Sequence, residues 1–502
     1  MNMKKYAVIL FSICAFLGTI GCDDSYEFTD EEGLNDPIND FIWQGLNSWY
    51  NWQEESADLS DSKDDNPEDY YTFLNSYSDY ESLMLDLCYR HSRVVGSSDA
   101  VDRFSWFVED YEIQKKSFQG IRTRYGFTSR IVEISDASNE VILSILLVEP
   151  GSPADKANMK RGDIVYRIDG TLLTTENINE VYGNLSNESV TLSFASEQNQ
   201  ALVHKEDKTM SRALVTSNPV HLKKVFENIG GKKVGYLVYN QFSSSFNDEL
   251  NAAFSDFTAA GIDELVLDLR FNGGGSVLTA SYLASMIYKN ARNQRFVNLV
   301  FNNKHSDEND TYNFQDRLNT YDEDRNSLGR ETINRLNSLS RLYIITSNNT
   351  ASASELIING LRPYMGSIIL IGATTYGKNV GSITLYDAPK NDFVSESNAN
   401  PDHKFAMQPI VFQSFNINGE SDYLQGFDPD MEIDESKYWN NILPLGDQDE
   451  VLLQTALNDI RGFYRKESLS KMQKQAREVK ITLPDSKFDQ EMYIEHIIDE
   501  LD

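Results

Sequence analysis

Three short segments carry residue types that could do nucleophilic chemistry. Ser347-Asn-Asn-Thr-Ala-Ser-Ala-Ser-Glu355 follows an apolar run, Leu342–Thr346, that predicts a strand, and it opens a stretch that predicts a helix. A serine at a helix N-terminus lies near unpaired N–H groups and the positive end of the dipole, which favours an oxyanion forming beside it. The same position is where serine most often just caps a helix. Thr374-Thr-Tyr-Gly-Lys378 follows a second strand-like run, Ile368–Ile371. To act as a base, Lys378 must fall from a pKa of about 10.4 to about 7–8, at a cost of roughly 4 kcal/mol that burial can supply. The third segment is Gly273-Gly-Gly275, after the run Glu264–Leu269. Glycines let backbone N–H groups approach a ligand, as an oxyanion hole requires, although Gly-rich turns are common in α/β folds.

Gly372-Ala-Thr-Thr-Tyr-Gly-Lys378 also fits the first part of a phosphate-binding loop. Asn379 then stands where Mg²⁺ binding calls for Ser or Thr, and Val380–Tyr386 predicts a strand where that loop needs a helix. There is no Gly-x-Ser-x-Gly elbow and no His-Glu-x-x-His motif, and the 6 histidines are scattered. A histidine-based triad thus lacks a centre, which favours a lysine base. No metal site or cofactor is expected.

The elements around these segments divide the chain. From Phe41 to Lys116, apolar residues at helical spacing (Ile42, Leu46 and Trp49; Tyr80, Leu83, Met84 and Leu87) predict a helical domain over 41–116. Residues 117–212 change to short β-like runs such as Ile142–Val148 and Val190–Ala195. Between these runs lie the turn words Glu149-Pro-Gly-Ser-Pro and Arg161-Gly-Asp. Over 213–465 apolar strand runs alternate with helices, the pattern of a mainly parallel α/β core. Within it, residues 302–330 are polar and predict a surface loop or lid. Residues 466–502 form a C-terminal tail.

Lys4 and Lys5, the uncharged apolar run Tyr6–Ile20 and Gly21–Cys22 have the layout of a secretory signal over 1–21, too short for a comfortable membrane span. The layout resembles a bacterial lipoprotein signal, with cleavage before Cys22 and lipid on its thiol. Thr19 departs from the usual Leu, and a plain signal cut nearby is the alternative. Residues 22–40 then form an acidic tether. The expected location is the cell envelope, on an outer membrane facing either the periplasm or the exterior. Cys88, set among leucines, predicts a buried thiol. A net charge of −32 over 502 residues argues against nucleic-acid binding, which needs clustered Lys and Arg.

The stretch from Gly151-Ser-Pro-Ala to Arg161-Gly-Asp-Ile-Val-Tyr-Arg-Ile-Asp-Gly170 resembles a PDZ domain. Tyr125-Gly126-Phe127 lies where such a domain holds a peptide carboxylate on backbone N–H groups. Asp102-Arg-Phe-Ser-Trp106, the PDZ-like segment, Leu265–Gly275, Thr350–Glu355, Thr374–Lys378 and Gly426-Phe-Asp-Pro-Asp430 occur in that order. This ordered set resembles the C-terminal processing peptidases, or tail-specific proteases, over about residues 70–460. The resemblance implies a multidomain α/β protein: a helical N-terminal domain, a PDZ-like β-rich domain and a catalytic core of crotonase-like ββα type. It also implies a Ser–Lys dyad, with Ser352 as nucleophile and Lys378 as base. The oxyanion donors would be the N–H groups of Gly274 and Ala353. Many members carry Gln four residues after the lysine, to orient it; Ser382 stands there instead. The expected substrates are proteins or peptides with exposed C-terminal tails. The alternative is a catalytically weak or inactive peptide-binding lipoprotein on the same scaffold. Oligomeric state is open.

Overall fold

The computed structural model describes residues 33–134, 139–199, 201–322, 326–337, 339, 341–463, 476–479 and 489–495. The signal region and Cys22 lie outside the described residues. Helices α1 (Pro37–Trp49), α2 (Pro67–Leu74) and α3 (Tyr80–Leu87) come first. Asp36 caps α1 through the N–H of Ile38, with Pro37 at the first helical position. Their apolar faces, including Ile42, Leu46, Trp49, Leu83 and Leu87, join one large core with residues of the α/β region. Cys88 is buried, and burial pushes its thiol well above the usual range.

A separate β-rich unit follows: β1 (Phe127–Glu133), β2 (Val141–Val148), β3 (Ile164–Ile168), the short helix α4 (Ile178–Gly183), β4 (Ser189–Gln198) and β5 (Ala201–Ser211). These strands lie antiparallel in the order β1-β2-β3-β4-β5 over their own core of Val141, Leu143, Val165, Ile168, Leu192 and Phe194.

The α/β region contains two six-stranded sheets. In the first, β6 (Val220–Ile229) pairs antiparallel with β7 (Lys232–Tyr239). Parallel to β7 follow β8 (Glu264–Asp268), then β12 (Leu342–Thr346), β13 (Ile368–Gly372) and β16 (Met431–Glu432). The near-continuous apolar strands of this sheet are buried on both faces, as parallel sheets are. Helices α5 (Asn247–Ala260), α6 (Val277–Ile287) and α7 (Ala353–Leu361) pack between strands, and Gly261 at φ +66° ends α5 with a left-handed cap. The second sheet runs β9 (Gly275–Ser276), β18 (Met492–Tyr493), β14 (Val380–Ser382), β15 (Ile410–Asn416), β10 (Arg295–Phe301) and β11 (Asp310–Asn313).

Two expectations need correcting. The polar stretch 302–330 is not a plain loop: it contains β11 and a hairpin of Arg317–Tyr321 with Ser327–Thr332. Its regularity comes from backbone pairing, which polar side chains do not announce. The C-terminal tail also contributes structure: β17 (Arg477–Glu478) pairs with β1, and β18 enters the second sheet.

Candidate active site

Ser352 links β12 to α7 in an unusual backbone conformation. Its φ of +63° and ψ of −118° are rarely adopted by a residue with a Cβ. Such strain persists only where surrounding bonds over-determine it, and it clusters at functional turns. Here the bonds are explicit. Ser347 Oγ donates to the carbonyl of Arg270 at 2.6 Å, Thr350 Oγ1 to that of Leu269 at 2.9 Å, and Ser354 Oγ to that of Asn272 at 3.0 Å. The serine turn is thereby fastened to the glycine loop. The Oγ of Ser352 is fully buried and has no hydrogen-bond partner among the described residues. It faces the first-turn N–H of Glu355 in a capping-box arrangement without closing a full hydrogen bond to it.

Lys378 lies in the loop between β13 and β14 and is also fully buried. Its Nζ donates to the carbonyl of Gln490 at 2.7 Å, approaches Glu491 Oε2 at 3.4 Å and sits 4.6 Å from the ring centre of Phe104. Burial pushes the lysine below its usual range, against the opposing pull of the Glu491 carboxylate. The same burial pushes Glu491 up, against the pull of Lys378. No hydrogen bond joins Nζ to Ser352 Oγ. Because the segment after Lys378 is strand β14, the phosphate-loop reading is excluded: that loop must open a helix.

Glu355 connects the two segments, a role the sequence reading missed. Its buried carboxylate accepts from the N–H of Ser352 at 2.9 Å, Gly377 at 2.7 Å and Lys378 at 2.8 Å, and from Thr375 Oγ1 at 2.6 Å. The Ser-x-x-Glu spacing of a capping box was the available signal. The clamp across to the lysine loop was invisible.

The glycine run faces the serine. A Cβ on Gly274, whose φ is +119°, would fall 2.7 Å from Ser352 Cβ. Its N–H, expected to be an oxyanion donor, is taken by Asn272 Oδ1 at 2.9 Å. The neighbouring Gly275 N–H instead meets a carbonyl, that of Glu491, at 2.5 Å. Ala353 begins α7, where the N–H lacks an intrahelical acceptor. Ser382 does not touch Lys378. It receives a bond from Gln408 Nε2 at 2.9 Å and faces Glu491 Oε2 at 3.2 Å, so it reaches the lysine only through Glu491. Trp106 Nε1 donates to the other oxygen of Glu491 at 3.0 Å, and Asp102 holds the Phe104–Ser105 turn by accepting both their N–H groups. Glu491 itself is a second residue the sequence reading missed, set aside within the tail.

The PDZ-like loop is held by partners within its own unit. Tyr125 is buried with its hydroxyl on the carbonyl of Asn187, and the carbonyl of Gly126 accepts from the N–H of Glu149 at 2.9 Å. A Cβ on Gly126 would fall 2.2 Å from that of Ser152, so only glycine fits. Phe127 starts β1, the strand edge beside α4. Among the described residues no cluster of His, Cys, Asp and Glu could hold a metal ion, and no helix is long and apolar enough to cross a membrane.

Residues 233–433 match the family model of peptidase family S41, and residues 144–195 match that of the PDZ domain. The chain is 25% identical over 308 residues to the carboxyl-terminal-processing protease of Picosynechococcus sp., covering 57% of this chain and 66% of that protein. It is 26% identical over 252 residues to the chloroplastic C-terminal processing peptidase of Tetradesmus obliquus (47% and 48%). With the carboxy-terminal processing protease CtpA of Bacillus subtilis it shares 24% over 329 residues (65% and 62%). The chain thus spans about half to two thirds of the length of these relatives. Among solved structures, an S41-class chain from Bacteroides fragilis superposes with a TM-score of 0.62 at 26% identity, covering 85% of this chain and 98% of that one.

Proposed function

Starting from a chain that carries a peptidase family S41 region and a PDZ domain and resembles the C-terminal processing peptidases, we propose a serine endopeptidase acting through a Ser352–Lys378 dyad. The observation that carries this reading is an unpartnered, fully buried serine hydroxyl on a positive-φ turn, clamped through Glu355 to the loop of a fully buried lysine.

In the proposed reaction, neutral Lys378 takes the Ser352 proton as Oγ attacks a peptide carbonyl carbon. The oxyanion is held by backbone N–H groups of the glycine run and of Ala353. Collapse breaks the C–N bond, and the leaving amine takes the proton from Lys378. Water then attacks the ester, giving a proton to Lys378, which returns it to Ser352 Oγ as the acyl–oxygen bond breaks, so that the serine and the neutral lysine are both regenerated. Protein or peptide substrates are captured by an exposed C-terminal tail added to the β1 edge. The protein is exported, lipidated on Cys22 and held at the cell envelope.

The test compares wild type with Ser352→Ala and Lys378→Ala for cleavage of a disordered protein ending in apolar residues. Cleavage by wild type alone, with both variants folded, supports the dyad. Equal inertness of all three, with tail binding retained, supports instead the peptide-binding scaffold, a reading favoured by Ser382 at the position of the usual Gln.

A further inference from the structure

Two stretches of this chain's own C-terminal region lie where a peptide substrate would lie under the function proposed above, on which this inference rests. The first is β17. Arg477 pairs with Glu133 and Glu478 with Val132, antiparallel to β1, and Val479 N–H donates to the carbonyl of Ile131 at 2.9 Å. The stretch therefore runs along the β1 edge towards Phe127 and the loop of Tyr125 and Gly126. That is the direction in which a peptide adding to this edge must run to bring its C-terminus to the loop. Val479 packs on the core of the PDZ unit, as do Tyr182 of α4 and Leu185 just after it.

The second stretch, 489–495, occupies the dyad. Met492 and Tyr493 pair parallel with Gly275 and Ser276, and Tyr493 also pairs with Ser382. The carbonyl of Glu491 accepts from Gly275 N–H, and the site of a Cβ on Gly274 is 2.4 Å from that carbonyl oxygen and 2.9 Å from Ser352 Oγ. A carbonyl is thus presented to the glycine run beside the nucleophile. The side chains hold it there: Asp489 pairs with Arg122 at 2.6 Å, Tyr493 stacks on Phe118 at 4.1 Å, and Glu491 bonds Trp106, Ser382 and Lys378.

We infer that residues 476–479 and 489–495 act as an intramolecular peptide ligand, the first filling the PDZ edge and the second the dyad cleft, so that a substrate tail must displace them before it is cut. Geometry separates this ligand from a substrate. Lys378 Nζ is engaged by the Gln490 carbonyl and the Glu491 carboxylate, and not by Ser352 Oγ, so the base is diverted from the nucleophile while the segment is bound. A lysine held against a carboxylate is also biased towards its charged form, which cannot accept the serine proton. The partner class follows from the contacts: an extended peptide recognised mainly through its backbone, with an acidic side chain directed at Lys378.

The test uses the full mature chain carrying Ser352→Ala to prevent turnover, and a fluorescent synthetic peptide of residues 476–495. Glu491→Lys sets an ammonium against Lys378 and Trp106, and Val479→Asp places a charge on the PDZ core. Either change in the chain's own tail should free the site, so the peptide should bind about tenfold more tightly than to the chain with its native tail. With Ser352 restored, both variants should cleave a disordered substrate faster than wild type. Unchanged peptide affinity in both variants overturns the inference. So does slower cleavage by Glu491→Lys with unchanged affinity, because Glu491 would then serve only to position Lys378. Tighter peptide binding with no cleavage by any variant leaves this inference standing and removes the peptidase reading.

Discussion

Ser352, Lys378 and Glu355 form a unit in which each residue's chemistry depends on what the others hold in place. Glu355 accepts four hydrogen bonds at a position fully removed from water, two on each oxygen, and replacing it by Gln turns one oxygen into an NH2 group and strips the acceptor from two of the four donors. Glu355→Gln is expected to cost about 2–3 kcal/mol in chemical denaturation and to lower cleavage, because the serine turn and lysine loop lose their common anchor. The dyad also predicts a pH dependence. Under the proposed dyad Ser352 reacts when Lys378 is neutral, so the rate is expected to rise with pH and to level off below the ordinary lysine value of 10.5, since burial lowers this lysine. Glu491 and Asp102 raise its pKa and Arg103 lowers it. Glu491→Gln removes a raising charge from the free enzyme, so the rising limb of the kcat/KM profile should move to lower pH; an unmoved limb would mean that Glu491 is not coupled to the base. Ser352 and Lys378 were singled out by the company they keep in sequence, whereas the φ of Ser352 is a backbone property that no residue type announces.

At the scale of elements, the site is a strand–turn–helix facing a glycine loop. Both are positioned by neighbouring strands, β8 and β12, of one parallel sheet. Gly274 is the tightest joint between them: φ is +119°, and a Cβ would meet the Glu491 carbonyl and Ser352 Cβ at 2.4 and 2.7 Å. Gly274→Ala should therefore reduce cleavage by about 10²-fold while the protein stays folded, measured as kcat/KM on a peptide substrate. Strands β8, β12 and β13 were readable because each is a short, continuous apolar run buried on both faces. The second sheet was readable only in part: β14 falls within the strand-like run Val380–Tyr386, whereas β9 and β18 have two residues each, too few to show a period. β18 was hidden further by its distance in sequence from the strands it pairs with, since pairing partners are not written in local pattern.

Across the whole molecule, a buried charge cluster joins the PDZ unit to the catalytic region. Arg161 and Arg130 from the PDZ unit meet Glu435, and Arg161 and Arg270 share Glu450, with Arg270 further bonded to Asp268. Arg270 stands two residues before Asn272, whose side chain holds Gly274 N–H, so the PDZ unit is connected to the glycine loop through one short path. Burial alone would raise Glu435, but Arg270, Arg130 and Arg161 hold it far below its ordinary value of 4.5. Its stabilisation is therefore complete above that value and is lost only as pH falls through the much lower folded pKa. Glu435→Gln leaves three arginines under-compensated and is expected to cost about 3–5 kcal/mol, seen as a lowered Tm at pH 7. The sequence indicated two units in order, but not that arginines of one would neutralise glutamates of the other, because those contacts join residues far apart in the chain.

The central claim, that Ser352 is a nucleophile activated by Lys378, is tested most directly by the rate of covalent labelling with a fluorophosphonate, read by intact-protein and peptide mass spectrometry. A single adduct on Ser352, absent from Ser352→Ala and formed about 10²–10⁴-fold more slowly in Lys378→Ala, is the expected result. An adduct on another residue, or Lys378→Ala labelling as fast as wild type, would contradict it.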